Sequence, residues 1–178
     1  RPPFLDLLDK VARHAAAEAA AWAATGVDAI FLMDDWGARD RLLVAPSTWR
    51  ALFKPVYREI CRAAHEAGTF VFMHSDGWIL DIVPDLIEAG VDALNCQAGW
   101  MGEDRLGAFR GQITIWGEID RHDVLARGSI DQVRGAVDRA RQHFWQGGGA
   151  IAQCEFGPGA RPENVAEVFR RWDEVLRL

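Results

Sequence analysis

Three times in this chain an alanine-rich segment closes on a glycine, and an apolar run follows within a few residues. Residues 24–35 (ATGVDAIFLMDD) and 89–97 (AGVDALNCQ) are near copies, and 67–74 (AGTFVFMH) is a looser version. Glycine just past a helix end adopts the left-handed cap that other residues reach only with strain, so the pattern reads as helix, tight turn, strand. Five apolar runs fit the strand role: 28–34, 69–74, 92–96, 113–117 and 150–154. They are apolar at successive positions, as parallel strands covered on both faces require.

The segments between them carry helical periodicity. Trp49, Leu52, Phe53, Val56, Tyr57, Ile60 and Ala64 share one face, with Ser47 as the expected N-cap and Pro55 as an expected kink. Ser129 and Gln132 form a capping-box signature ahead of Val133, Val137, Ala140 and Phe144. A last stripe runs through Val165, Val168, Phe169, Trp172, Val175 and Leu176, with Pro162 in its first turn. Strict alternation of strand and helix gives an α/β fold with a parallel sheet, open or closed into a barrel. No linker-like stretch divides residues 1–178, which reads as a single domain. An amphipathic helix over about 5–24 precedes the first strand, and five strands cannot close an eight-stranded barrel. The expectation is that N-terminal strands are absent from this chain, or that another chain supplies the remaining wall.

Composition removes several classes of function. The net charge is −6 with both signs interspersed, so no basic stripe exists for nucleic acid or an anionic membrane surface. The apolar stretches are too short to span a bilayer. Three cysteines, Cys61, Cys96 and Cys154, are too few and too odd for a disulfide framework, which points to a reducing, cytoplasmic setting.

In parallel α/β folds, ligands bind at the carboxyl ends of the strands. Those ends carry Asp34-Asp35-Trp36, His74-Ser75-Asp76, Asn95-Cys96-Gln97, Glu118 with Asp120, and Gln153-Cys154-Glu155. Any one of these is compatible with a surface turn; their joint placement points to a site. His74 and Asp76 are two apart and point to one side of an extended chain, either to share a cation or to move a proton. Cys154 ends another strand and supplies sulfur suited to Zn²⁺, although most free cysteines are small buried hydrophobes. Asp34 and Asp35 are adjacent, so only one can face a pocket. Glu118 is either a ligand, a general acid or base, or half of a structural ion pair. Trp36, Trp78, Trp100 and Trp116 either wall a wide flat pocket or pack between strands and helices. Residues 147–150 (GGGA) lack the phosphate-loop lysine and read as a turn.

These residues resemble a known family. Residues 71–78 (VFMHSDGW), 82–97 (IVPDLIEAGVDALNCQ), 116–120 (WGEID) and 147–164 (GGGAIAQCEFGPGARPEN) look like the second half of the uroporphyrinogen decarboxylase superfamily. Residues 34–37 (DDWG) and 46–55 (PSTWRALFKP) resemble its middle. The resemblance implies the C-terminal part of a (β/α)₈ barrel, with three strands and their helices upstream of Arg1.

Two branches of that superfamily bear on the site. Its decarboxylases act on a tetrapyrrole without a cofactor and carry a histidine ten residues before the asparagine of the closing motif; here that position, counted from Asn164, is Cys154. Its corrinoid-linked methyltransferases hold zinc with a His-x-Cys pair and a later cysteine. His74 and Cys154 match two of those ligands, and Asp76 stands in place of the middle cysteine. The favoured reading is therefore a zinc-dependent methyltransferase-like enzyme with His74, Asp76 and Cys154 as ligands and Glu118 as a fourth. It takes a small-molecule thiol, activated as thiolate, and a methyl group from a corrinoid partner protein. Asp34, Asp35 and Glu118 are the catalytic candidates; Trp36, Trp78, Gln97 and Trp116 are the substrate-binding candidates. The alternatives are a cofactor-free carboxy-lyase that relies on Asp34 or Asp35, and a non-catalytic barrel that cradles a corrinoid or tetrapyrrole. The resemblance also suggests a homodimer.

Overall fold

The computed structural model describes residues 2–176. In chain order the elements are α1 (Pro3–Ala23), β1 (Ala29–Met33), α2 (Pro46–Leu52), α3 (Lys54–His65), β2 (Phe70–Ser75), α4 (Val83–Ala89), β3 (Ala93–Cys96), α5 (Ala98–Met101), α6 (Glu103–Gly107), β4 (Thr114–Gly117), α7 (Val124–Arg127), α8 (Ile130–Phe144), β5 (Ala150–Ala152) and α9 (Pro162–Leu176). The strands form one sheet in the order β1-β2-β3-β4-β5, every neighbouring pair parallel. Spatial order equals chain order with no reversal. That is the rule of a (β/α)₈-type barrel wall, whereas doubly wound sheets reverse direction at a switch point. The expected α/β fold and its five strands are all present.

Local chemistry accounts for the boundaries. Gly90, at φ +105°, ends α4 in the left-handed conformation and turns the chain into β3. Ser129 and Gln132 exchange the reciprocal hydrogen bonds of a capping box at the start of α8. The expected cap at Ser47 and the single kinked helix are corrected. Ala45 is the cap and Pro46 opens α2, because proline's fixed φ and missing N–H suit a first turn. Pro55 does more than bend the helix: α2 stops at Leu52, and α3 restarts with Pro55 in its own first turn. The fifth strand is shorter than expected and ends at Ala152, so Gln153 and Cys154 lie just beyond it.

The two faces of the sheet differ. Val71, Met73, Leu94, Cys96 and Ile115 point outward into a core with Leu86, Leu106, Val133, Val137, Phe144 and Val168 from the surrounding helices. Helix α1 reaches α3 through Ala16 and Ala19 against Ile60, small side chains that let the helices approach closely. On the other face, Phe31, Met33 and Phe70 are 45%, 68% and 56% exposed. The expectation of strands covered on both faces thus holds for one face among the described residues. The other is the inner wall of the barrel segment, and the candidate site residues project from its carboxyl-end rim.

Candidate metal centre

Register brings the site together. In the parallel pairings, Met33 lies beside His74, His74 beside Asn95, and Asn95 beside Trp116. Paired residues in neighbouring parallel strands point to the same face, and so do residues two further on. His74 and Asn95 therefore face inward, with Asp35, Asp76, Gln97 and Glu118 above them on the rim.

The orientation of His74 follows from a chain of hydrogen bonds. The Asn95 amide nitrogen donates to the Trp116 carbonyl at 2.8 Å and to Gln153 Oε1 at 2.5 Å. Both acceptors hold the nitrogen on that side, so Asn95 Oδ1 faces His74 Nδ1, 2.5 Å away. Only Nδ1–H can donate to that oxygen, which leaves the Nε2 lone pair free in the neutral ring. Nε2 lies 3.6 Å from Asp35 Oδ1 and 3.6 Å from Asp76 Oδ1. Asp35, His74 and Asp76 each offer one ligating atom, all within 4.8 Å of one another, and theirs is the one such group of three among the described residues.

Two glycines hold the carboxylates in place. Gly77 has φ +78°, and a Cβ on it would fall 2.5 Å from the Gly37 backbone; a Cβ on Gly37 would fall 2.4 Å from that of Gly77. The loops after β1 and β2 thus touch backbone to backbone, tied by Gly37 N–H to the Asp76 carbonyl and Trp78 N–H to the Ala38 carbonyl. In this clamp Asp35 Oδ1 accepts from Asp76 N–H at 2.9 Å. Asp34 points the other way, accepting from the Tyr57 hydroxyl on α3 at 2.6 Å.

Behind Asp76 lies a second group of charges. Arg121 donates to Asp76 at 3.2 Å and to Glu155. Glu118 is buried, and its Oε1 has no hydrogen-bond partner. Burial, followed by the neighbouring Glu155 carboxyl, pushes Glu118 up to about 8 against the pull of Arg121. Glu118 therefore holds a proton to higher pH than an ordinary carboxyl. Arg121 had no signal in the sequence beyond its place in a loop past a strand end; its role comes from the fold.

The match to known proteins can be set beside this geometry. The model of the family described as uroporphyrinogen decarboxylase (URO-D) matches residues 3–175, nearly the whole chain. The chain belongs to the uroporphyrinogen decarboxylase family. Among solved structures, a methyltransferase from Methanosarcina mazei superposes with a TM-score of 0.72 at 18% identity, over 94% of this chain and 48% of that one. At that identity the likeness establishes the fold. This uroporphyrinogen decarboxylase-family chain spans about half the length of that methyltransferase. No curated protein matches it.

The remaining sequence candidates take distinct places. Cys154 does not come within the converging group; it packs half-buried against the core, where burial pushes its thiol up to about 11. Trp36 lies on the helix side, 4.5 Å from Phe53 and 5.9 Å from Trp49 between ring centroids, with its indole N–H donated to Tyr57. Trp78 donates to Asp81, with the Arg105 guanidinium 6.0 Å from its ring centroid. Trp116 lies on the inner wall between Phe31 and Phe72. Gln97 uses Oε1 to accept the Gly77 N–H, so it braces the glycine clamp. Ser75 is buried and accepts from the Trp36 N–H, a structural use of the hydroxyl. All three cysteines are free thiols. No helix among the described residues is long and apolar enough to cross a membrane.

The donor set fits a divalent cation. One imidazole nitrogen and two carboxylate oxygens, with the imidazole oriented from behind by an amide, supply the number of protein ligands that an open catalytic zinc site uses, in a more carboxylate-rich set than the usual ones. Without a thiolate the set is harder than the His-x-Cys-and-Cys arrangement, and favours Zn²⁺, Mn²⁺ or Fe²⁺ over soft ions.

Proposed function

We propose that this chain carries the metal-binding half of a zinc-dependent methyltransferase-like enzyme. The observation behind this reading is the convergence of His74 Nε2 with the Oδ1 atoms of Asp35 and Asp76. In this reading those three side chains hold the ion, Asn95 fixes the imidazole, and the Gly37–Gly77 contact fixes the carboxylates. A zinc ion there supplies one thing: it keeps a bound thiol as thiolate near neutral pH, ready to accept a methyl group. The donor is a corrinoid carried on a partner protein over the strand ends. Arg121 offsets part of the negative charge by pairing with Asp76, and Glu118 holds a proton beside the site.

The test is elemental analysis of the full-length protein and its variants. Stoichiometric zinc is expected in the wild type and in Cys154→Ser, with loss in His74→Ala, Asp35→Asn and Asp76→Asn. A full-length wild type that holds no divalent ion when loaded with zinc ends this reading.

One observation favours a second reading. Glu118, buried and protonated, has the form of an acid able to protonate a carbon as CO₂ leaves, the chemistry of a cofactor-free carboxy-lyase. Asp35 would then be the inward aspartate, since Asp34 is committed to Tyr57. Porphyrinogen turnover by metal-free full-length protein, abolished in Glu118→Gln, supports this reading against the first.

A further inference from the structure

Asp35, Asp76, Glu118 and Glu155 bring their carboxyl groups to the same rim, and the ion proposed there uses only the first two. Asp35 and Asp76 turn their Oδ1 atoms toward His74 Nε2, 3.6 Å away in each case. Glu118 is buried and keeps its proton to higher pH than an ordinary carboxyl, and a protonated carboxyl is a poor ligand. Glu155, in the loop past β5, is neither buried nor protonated in this way. Something else must hold it off.

That group is Arg121, in the loop past β4. Its Nη1 donates to Glu155 Oε1, while its Nη2 lies 3.2 Å from Asp76 Oδ2 and 3.4 Å from Asp76 Oδ1. One planar fork thus holds carboxylates from two different loops. The nearer contact on Asp76 is to Oδ2, whereas Oδ1 is the atom that approaches His74. Because Glu155 and Asp76 share one guanidinium, a released Glu155 side chain has the ion within its reach. The charges match as well: Asp35 and Asp76 balance a divalent cation, and Arg121 cancels Glu155.

The number of oxygen donors decides which ion a site prefers. Four-coordinate sites suit Zn²⁺, whereas six-coordinate, oxygen-rich sites suit Mn²⁺ and Mg²⁺. We propose that Arg121 is a positioning residue that sets the metal preference of this site: it keeps Glu155 off the ion and limits Asp76 to one oxygen, so that the site selects Zn²⁺ over Mn²⁺. This inference rests on the metal-dependent reading, and adds to it the residue that leaves a coordination position free for substrate.

The experiment is competition titration of the full-length protein with Zn²⁺ and Mn²⁺, which gives the ratio of the two affinities. Arg121→Met is expected to lower the zinc-to-manganese ratio by about tenfold, the scale on which groups behind metal ligands act. Arg121→Lys keeps the charge without the fork, and is expected to shift the ratio the same way by less. Glu155→Ala is expected to keep the wild-type ratio, since that carboxylate is already withheld. The double variant Arg121→Met/Glu155→Ala is expected to recover most of the loss, a rescue that a merely structural role of Arg121 does not produce. An unchanged ratio in Arg121→Met overturns the inference, and so does an equal fall in the single and double variants. Wild-type protein that binds neither ion removes the metal reading and this inference together. Wild-type protein that binds zinc, with variants that match its ratio, removes the role of Arg121 alone.

Discussion

His74 takes its orientation from Asn95: Nδ1 and the amide oxygen are 2.5 Å apart, and the other end of the amide is held by Trp116 and Gln153. Three neighbouring strands thus fix one imidazole. Second partners of this kind account for about 10–100-fold in metal affinity where they have been removed from other sites. Asn95→Leu is therefore expected to weaken zinc binding by about that factor without removing a ligand. Competition against a chromophoric chelator reads the difference. Equal affinity in Asn95→Leu and wild type would mean that the imidazole needs no such support.

The contact between Gly37 and Gly77 makes a prediction about stability as well as function. Alanine at position 77 combines a left-handed φ of +78° with a Cβ about to overlap backbone at 2.5 Å. The dihedral strain alone costs about 1–3 kcal/mol, and the overlap forces the two loops apart. Gly77→Ala should lower the urea midpoint and also reduce zinc occupancy, because Asp35 and Asp76 ride on the separated loops. Gly26→Ala serves as the comparison. It carries similar strain at φ +83° with no atom within 4 Å, and is expected to lose stability alone.

Asp34 and Asp35 separate a structural carboxylate from a proposed ligand. Asp34 accepts from Tyr57, whose hydroxyl in turn accepts from the Trp36 indole N–H at 2.6 Å. Tyr57→Phe leaves that N–H and the carboxylate without their shared partner and is expected to destabilise by about 1–3 kcal/mol. Zinc content should be unchanged in Tyr57→Phe and Asp34→Asn, and reduced in Asp35→Asn. A loss of metal in Asp34→Asn matching that in Asp35→Asn contradicts the divergence of the two side chains.

The sequence showed the architecture because its signals are local: a glycine cap such as Gly90, a capping box at Ser129, and apolar runs between polar ends. The rim was legible for the same reason, since polar residues that end apolar strands must collect at one edge of a parallel sheet. Which rim residues meet was not legible, because it depends on register between strands some twenty residues or more apart in the chain. His74 and Asp76 are near in sequence and were paired from spacing alone. Asp35 joins them only through the glycine clamp, and Asn95 only through the His74 register. Cys154 follows a strand two residues shorter than expected, and packs against the core outside the converging group. Trp36 illustrates the ambiguity of aromatic residues: a tryptophan past a strand end suits a pocket or the helix layer equally well, and here Tyr57 and Phe53 draw it to the helices.

Glu118 sets a pH dependence whose sign can be worked out. Its carboxyl is pushed up to about 8 in the fold, from about 4.5 in an unstructured chain. Below the lower value both states hold the proton and the group contributes no slope. Between the two values the folded state keeps a proton that the unfolded state has released, so stability falls as pH rises, and the fall ends above about 8. Glu118→Gln cannot titrate and should lack this component. Urea midpoints of metal-free full-length protein, measured at intervals from about pH 5 to 9, are expected to decline more steeply in wild type than in Glu118→Gln. The two curves should lie closest at the acidic end, where Glu118 is neutral like glutamine. Parallel curves across the range would show that Glu118 ionises normally, and with that the proton it is assigned beside the candidate metal site would be lost.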